Sequence, residues 1–124
     1  MIATVDGILK ERDPDVVVEV GGLGLALLLP AGDVDRLPPV ETPVRLWTHL
    51  AVREDAWTLY GFIDRETRVL FRLLITVSGI GPKVALGMLS GATATDIGTA
   101  LSRSDEKALT ALPGVGKKSA ARLV

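Results

Sequence analysis

TALPGVGKKSAARLV, from Thr110 to Val124, repeats an earlier stretch, LITVSGIGPKVALGML from Leu74 to Leu89, with Gly114 standing 35 residues after Gly79. Each copy has an apolar helix end, then a Gly-apolar-Gly turn: Gly79-Ile80-Gly81 and Gly114-Val115-Gly116. Lysine follows (Lys83; Lys117 and Lys118), and then a helix bearing small residues (Ala85; Ala120 and Ala121). Glycine reaches backbone dihedrals closed to other residues, and alanine lets two helices approach closely. The spacing predicts that Ile80 and Val115 plug inward between paired helices. The N–H groups opening the next helix then face outward, where they and the helix dipole form an anion site. Lys83, Lys117 and Lys118 border that opening as point charges, and Arg122 is placed to reach a phosphate in the second hairpin. One such turn closes any αα-hairpin. Two copies with lysine in the same place favour a tandem helix-hairpin-helix that grips the DNA backbone, and contacts of this kind read position rather than base sequence. Each neutralised phosphate adds a slope of roughly −0.9 to log affinity against log salt.

Helical spacing extends upstream of the first turn. Asp64 is the expected N-cap, and Val69, Leu70, Leu73, Leu74 and Val77 form an apolar stripe running up to the glycines. A second helix is predicted from Pro82 to about Leu89. Thr93 or Thr95 caps a third, Ser104 caps SDEKALTAL, and Lys117 opens the last. Before Ile63 the period is two instead. IATVDGILKE, VVVEV, LGLALLL, VRLWTHLAV and WTLYGFI read as five strands, punctuated at Asp13-Pro14-Asp15, Gly21-Gly22 and Pro38-Pro39, with a short helical turn between Pro30 and Leu37. The expected architecture is an OB-like β-barrel over residues 1–63, followed by an all-α tandem helix-hairpin-helix domain over 64–124.

The chain has 124 residues, 48% of them hydrophobic, enough for two small lobes with cores of their own. Its net charge of −1 conceals an asymmetry. Residues 1–63 carry 5 Lys/Arg against 10 Asp/Glu, and residues 64–124 carry 9 against 5, which gives −5 and +4. The basic half suits a polyanion and the acidic half repels one. With no cysteine and a single histidine, His49, there is no thiol nucleophile, disulfide framework or zinc ligand set, and no cofactor is expected. The N-terminus lacks a signal-peptide pattern and no apolar run approaches a membrane span, so a cytoplasmic location is expected.

Other residues invite competing readings. Glu54 and Asp55 fit a metal nuclease only if a third carboxylate joins them, and neighbours on a strand face opposite ways. Trp47, Trp57, Tyr60 and Phe62 suit base stacking in principle, but an acidic barrel favours core packing for them. His49 reads as structural. Arg53 is placed to steer a phosphate, while Arg65, Arg68 and Arg72 read as a solvated helix face or subunit contact. An enzyme of the helix-hairpin-helix glycosylase or nuclease type would have to use Lys83 and Asp96, whose spacing does not favour it. A protein-interaction module without DNA affinity is the remaining alternative.

The motifs MIATVDG (1–7), EVGGLG (19–24), THLAVREDAWTLYGF (48–62), SGIGPKVAL (78–86) and LPGVGKKSAARL (112–123) together resemble the RuvA family, the Holliday-junction-binding subunits of the bacterial branch-migration machine. The resemblance runs over the whole chain. It implies a non-enzymatic DNA-binding subunit acting in recombination, DNA repair and the SOS response to DNA damage. It also implies a homotetramer that holds a four-way junction open on one face, with a second tetramer completing an octamer. Its implied partners are the hexameric ATPase RuvB, which supplies the motor, and the resolvase RuvC. In that family the Arg-Glu-Asp-Ala turn forms an acidic pin at the junction centre, which falls here on Glu54 and Asp55. Carboxylates there repel phosphate and help the arms separate. The family continues into a linker and a third, RuvB-engaging domain, whereas this sequence stops within its last predicted helix and therefore reads as a fragment. Leu25 stands where an aromatic residue is common in the family, which implies a packing change in the barrel.

Overall fold

A computed structural model describes all residues, Met1–Val124, and divides them into two compact units, Met1–Arg68 and Val69–Val124. The first unit is a single antiparallel sheet of β1 (Thr4–Glu11), β2 (Val16–Val20), β3 (Leu23–Leu27), β4 (Pro43–Val52) and β5 (Trp57–Phe62), in the order β3-β2-β1-β4-β5. Alternation writes its core. Val5 and Leu9, Val16 and Val18, Leu27, Leu46 and Leu59 project to one side and are buried together with Leu29 and Leu37. The sheet curls until Leu28, just after β3, meets β5 in a parallel bridge. The Leu28 N–H donates to the Leu59 carbonyl at 2.9 Å, and the Gly61 N–H donates back to the Leu28 carbonyl at 2.8 Å. The expected OB-like barrel is thus a curled half-barrel joined at one point. Gly7 makes the curl possible, because a Cβ there would lie 2.2 Å from the Glu19 carbonyl oxygen on β2.

A short helix, α1 (Ala31–Asp35), connects β3 to β4. Its Asp33 is buried, and one carboxylate oxygen accepts the Ile63 N–H at 3.0 Å, so α1 holds the end of β5. Burial raises the Asp33 pKa, and the Ile63 N–H only partly opposes this. Asp64 shifts the other way. Burial would raise it, but hydrogen bonds from the Thr67 hydroxyl and backbone N–H, together with Arg36 at 3.4 Å, lower it on balance. The Thr67 N–H bond, 3.0 Å long, is also the N-cap expected at Asp64.

That cap starts α2 (Arg65–Leu74), which precedes α3 (Pro82–Gly91), α4 (Ala94–Ser102), α5 (Glu106–Thr110) and α6 (Lys117–Leu123). Phe71, Leu74, Met88, Ile97 and Leu109 form the bulk of the second unit's interior. Two sequence expectations need correction here. The stripe on α2 does not turn wholly inward. Phe71 and Leu74 are buried, while Val69 and Leu73 are 49% and 58% exposed, so the helix carries apolar residues on two sides. Nor does Ser104 cap α5. Asp105 does, accepting the Ala108 N–H at 3.0 Å, while Ser104 takes a left-handed φ of 51° that closes α4. The Asp105 N–H donates to the Ala100 carbonyl at 2.9 Å, the bond that typifies such a helix end. Thr93 rather than Thr95 caps α4, accepting the Asp96 N–H at 3.1 Å. No single helix is long and apolar enough to cross a membrane.

Candidate nucleic-acid interface

The repeated sequence folds into a repeated backbone. In the first copy Gly79 has φ of 90° and the Ile80 N–H donates to the Val77 carbonyl at 3.0 Å. In the second, Gly114 has φ of 76° and the Val115 N–H donates to the Leu112 carbonyl at 3.2 Å. These left-handed angles are why glycine stands first in each turn. The second glycines differ. Gly81 (φ −87°) and Gly116 (φ −91°) are extended N-caps that any residue adopts, so dihedral freedom does not account for them. A Cβ at either would meet nothing within 4 Å. Glycine there keeps clear the space in front of the helix start.

Ile80 and Val115 are buried, as are Ala85 and Ala120, which lie one turn into α3 and α6. The Ala85 N–H donates to the Gly81 carbonyl at 3.0 Å and the Ala120 N–H to the Gly116 carbonyl at 2.9 Å, which closes the first turn of each helix. Neither helix has a side-chain N-cap, so the N–H groups ahead of those bonds lack intrahelical partners. Lys83, Lys117 and Lys118 are exposed beside them. The ion pairs Lys10–Glu41 (2.9 Å), Arg36–Asp64 (3.4 Å) and Arg45–Asp6 (2.7 Å) all lie in the first unit, and none uses these lysines. The unit Val69–Val124 has 7 Lys/Arg and 3 Asp/Glu, a net +4.

The two copies also pack on each other. A Cβ at Gly79 would lie 3.6 Å from the Ser119 hydroxyl of α6, and one at Gly114 would lie 3.4 Å from Val84 of α3. Val84 and Ser119 are themselves 35 residues apart, so each turn leans on the equivalent residue of the other copy. Arg122 adds a contact the sequence did not reveal. It was expected to serve the second hairpin, yet its guanidinium donates to the Ser78 carbonyl of the first at 3.1 Å while remaining exposed. No local signal marks a contact 44 residues away.

In the first unit, Glu54 and Asp55 occupy the exposed β4–β5 turn, closed by the Arg53 N–H donating to the Ala56 carbonyl at 2.9 Å. No group of three or more His, Asp or Glu residues suited to a metal ion forms anywhere. The aromatics separate. Tyr60 and Phe62 are buried, and Trp47 is half-buried with the Arg68 guanidinium 5.1 Å from its ring centre. Trp57 is 72% exposed, which corrects its assignment to the core. His49 lies opposite Tyr60 in the β4–β5 ladder, and Lys83 and Asp96 sit on different helices.

Comparison with known proteins bears on both units. Residues 1–61 match the family model described as RuvA N terminal domain, and residues 71–124 match the SAM-like helix-hairpin-helix tandem. Proteins named Holliday junction branch migration complex subunit RuvA are similar over this whole chain. The one from Shewanella denitrificans is 50% identical, with 62% of its own length covered. That from Chromobacterium violaceum is 50% identical with 64% covered, and that from Alkalilimnicola ehrlichii 47% identical with 60% covered. The chain therefore spans about three fifths of the length of these curated relatives.

Proposed function

The chain belongs to the RuvA family, and from that premise we propose that it binds four-way DNA junctions without regard to base sequence and holds them open for branch migration. The observation that carries the reading is the doubled turn. Two left-handed glycines, two buried plugs and two cleared helix starts sit beside unpaired lysines in a unit of net +4. One hairpin grips one stretch of backbone, and two grip a duplex arm.

In this reading, residues 64–124 are the DNA-binding domain. Gly79, Ile80, Gly81 and Lys83 make one phosphate grip. Gly114, Val115, Gly116, Lys117 and Lys118 make the other, with Arg122 bracing the first. Backbone N–H groups and lysine ammonium groups meet phosphate oxygens, so affinity falls with salt by roughly 0.9 log units per neutralised phosphate per tenfold salt. Residues 1–63 supply the opposite influence. Glu54 and Asp55 lie at the junction centre and raise the cost of bringing phosphates together there, so the arms stay apart. Four copies suit four arms, so the functional unit is a homotetramer, or an octamer with DNA between two such faces. The subunit is not itself an enzyme. A RuvB ATPase supplies the motor and RuvC resolves the product, in the bacterial cytoplasm.

The test is a salt-titrated competition between a four-way junction and linear duplex, with solution mass measured alongside. The parent is expected to prefer the junction, and Lys117→Glu with Lys118→Glu to abolish most binding to both. A double variant that binds four-way DNA as tightly as the parent across the salt range would overturn the reading. Neutral replacement of Glu54 and Asp55 is expected to tighten binding to junction and duplex alike while eroding the preference, and unchanged selectivity would remove the pin from the account.

A further inference from the structure

The β4–β5 hairpin is longer than the barrel it belongs to. Side chains two apart on a strand share a face, so the opposed pairs Thr48–Gly61, Leu50–Leu59 and Val52–Trp57 follow one another along the inward face. Leu59 is core, with Leu50 packed against it. One step further the stripe runs into solvent, with Val52 57% exposed and Trp57 72% exposed. The stripe thus ends in an uncovered indole backed by a valine, immediately before the turn that carries Glu54 and Asp55. The barrel's core does not enclose that tryptophan.

The charge beside that ring restricts what can lie on it. Two exposed carboxylates repel phosphate, so a nucleic acid reaches the indole only with its backbone turned away and an uncharged planar face turned in. Paired bases inside a duplex arm do not offer that face. Bases opened where strands exchange do, and stacking on an aromatic ring tolerates any base. We propose that Trp57, backed by Val52, is the stacking platform for a base opened at the crossover. It makes the acidic turn a two-part device that repels backbone and receives bases. This inference rests on the junction-binding reading above.

The chain has two tryptophans, so Trp47→Phe leaves Trp57 as the sole indole reporter. Its emission is expected to be quenched by a four-way junction and left nearly unchanged by linear duplex. 2-Aminopurine at the crossover should respond to the same binding, and 2-aminopurine in an arm should not. Trp57→Leu, an exposed and fold-neutral change, should weaken junction binding about tenfold with duplex binding unchanged, and Trp57→Phe should restore most of the loss. Junction binding by Trp57→Leu equal to the parent's overturns the proposal. So does Trp57 emission that ignores the junction but shifts with protein concentration alone, which would assign the indole to contact between copies. If the parent shows no preference for junction over duplex, the junction reading itself fails and takes this inference with it. A parent that keeps its preference while Trp57 stays silent overturns the stacking role alone.

Discussion

The two hairpins share a backbone but not a chemistry. Both turns begin on a left-handed glycine, bury one aliphatic side chain and start a helix from an extended glycine. Yet α3 opens with Pro82 and a single Lys83, whereas α6 opens with Lys117 and Lys118. Proline presets the helix but contributes no N–H, so the first helix start has one donor and one charge fewer than the second. The scaffold is repeated and the charge is not. The second hairpin should therefore carry the larger share of the salt-dependent affinity, and the first the larger share of placement.

The sharpest way to break this comparison is to neutralise each grip in turn. Lys117→Gln with Lys118→Gln should make the slope of log affinity against log salt less negative by about 1.8, and Lys83→Gln by about 0.9. Equal changes in fluorescence-anisotropy titrations over several salt concentrations would mean that the charges are shared. The glycines give the next effect. Gly79→Ala or Gly114→Ala forces a left-handed alanine and should cost about 1–2 kcal/mol of stability in denaturant unfolding. Gly81→Ala or Gly116→Ala should cost only about 0.5 kcal/mol but weaken DNA binding, because the new methyl group occupies the space in front of the helix start. If the second-position variants lose more stability than binding, those glycines serve the fold instead.

Arg122→Ala removes the bond to the Ser78 carbonyl and should cost about 0.5–1 kcal/mol. Its loss should be felt in the first hairpin, as faster amide exchange around Ser78 to Ile80, and exchange unchanged there would confine Arg122 to its own copy. The smallest effect is a control from the other unit. Asp33 has a raised pKa in the fold, so the native state holds its proton more tightly than the unfolded chain, and its contribution to stability declines as pH rises through the window above 3.8. Asp6, held down by its Arg45 hydrogen bond, and Asp64 are lowered, so theirs is present above 3.8 and is lost as pH falls through their folded values. Asp33→Asn should raise the melting temperature at pH 7, with the gain vanishing near pH 3, and should leave both hairpins' DNA affinity alone. A loss at pH 7 would mean that the charged bond to Ile63 outweighs the burial of the carboxylate.

How much of this was legible depends on how local the cause is. The strands, the Asp64 cap and the inward Ile80 and Val115 follow from periodicity and turn chemistry within a few residues. The α5 cap did not, because Ser104 and Asp105 are both good caps and only the closure of α4 decides between them. The α2 stripe misled because five apolar residues between Val69 and Leu74 cover two faces, and tertiary packing chose Phe71 and Leu74. Trp57 depended on where the barrel ends along the hairpin, and Arg122 on the pairing of copies far apart in sequence. Within the turns, sequence treated both glycines alike, while the backbone separates one that needs a left-handed angle from one with an ordinary extended angle and open space before it.

The exchange of packing between copies, Gly79 against Ser119 and Gly114 against Val84, has a mechanical consequence. Each turn lies close to the helix that follows the other, so the span between them is shaped by packing inside the unit. On the DNA-binding reading proposed above, the second unit would act as a caliper, and a duplex that does not offer phosphates at that opening would have to bend to fit or be released.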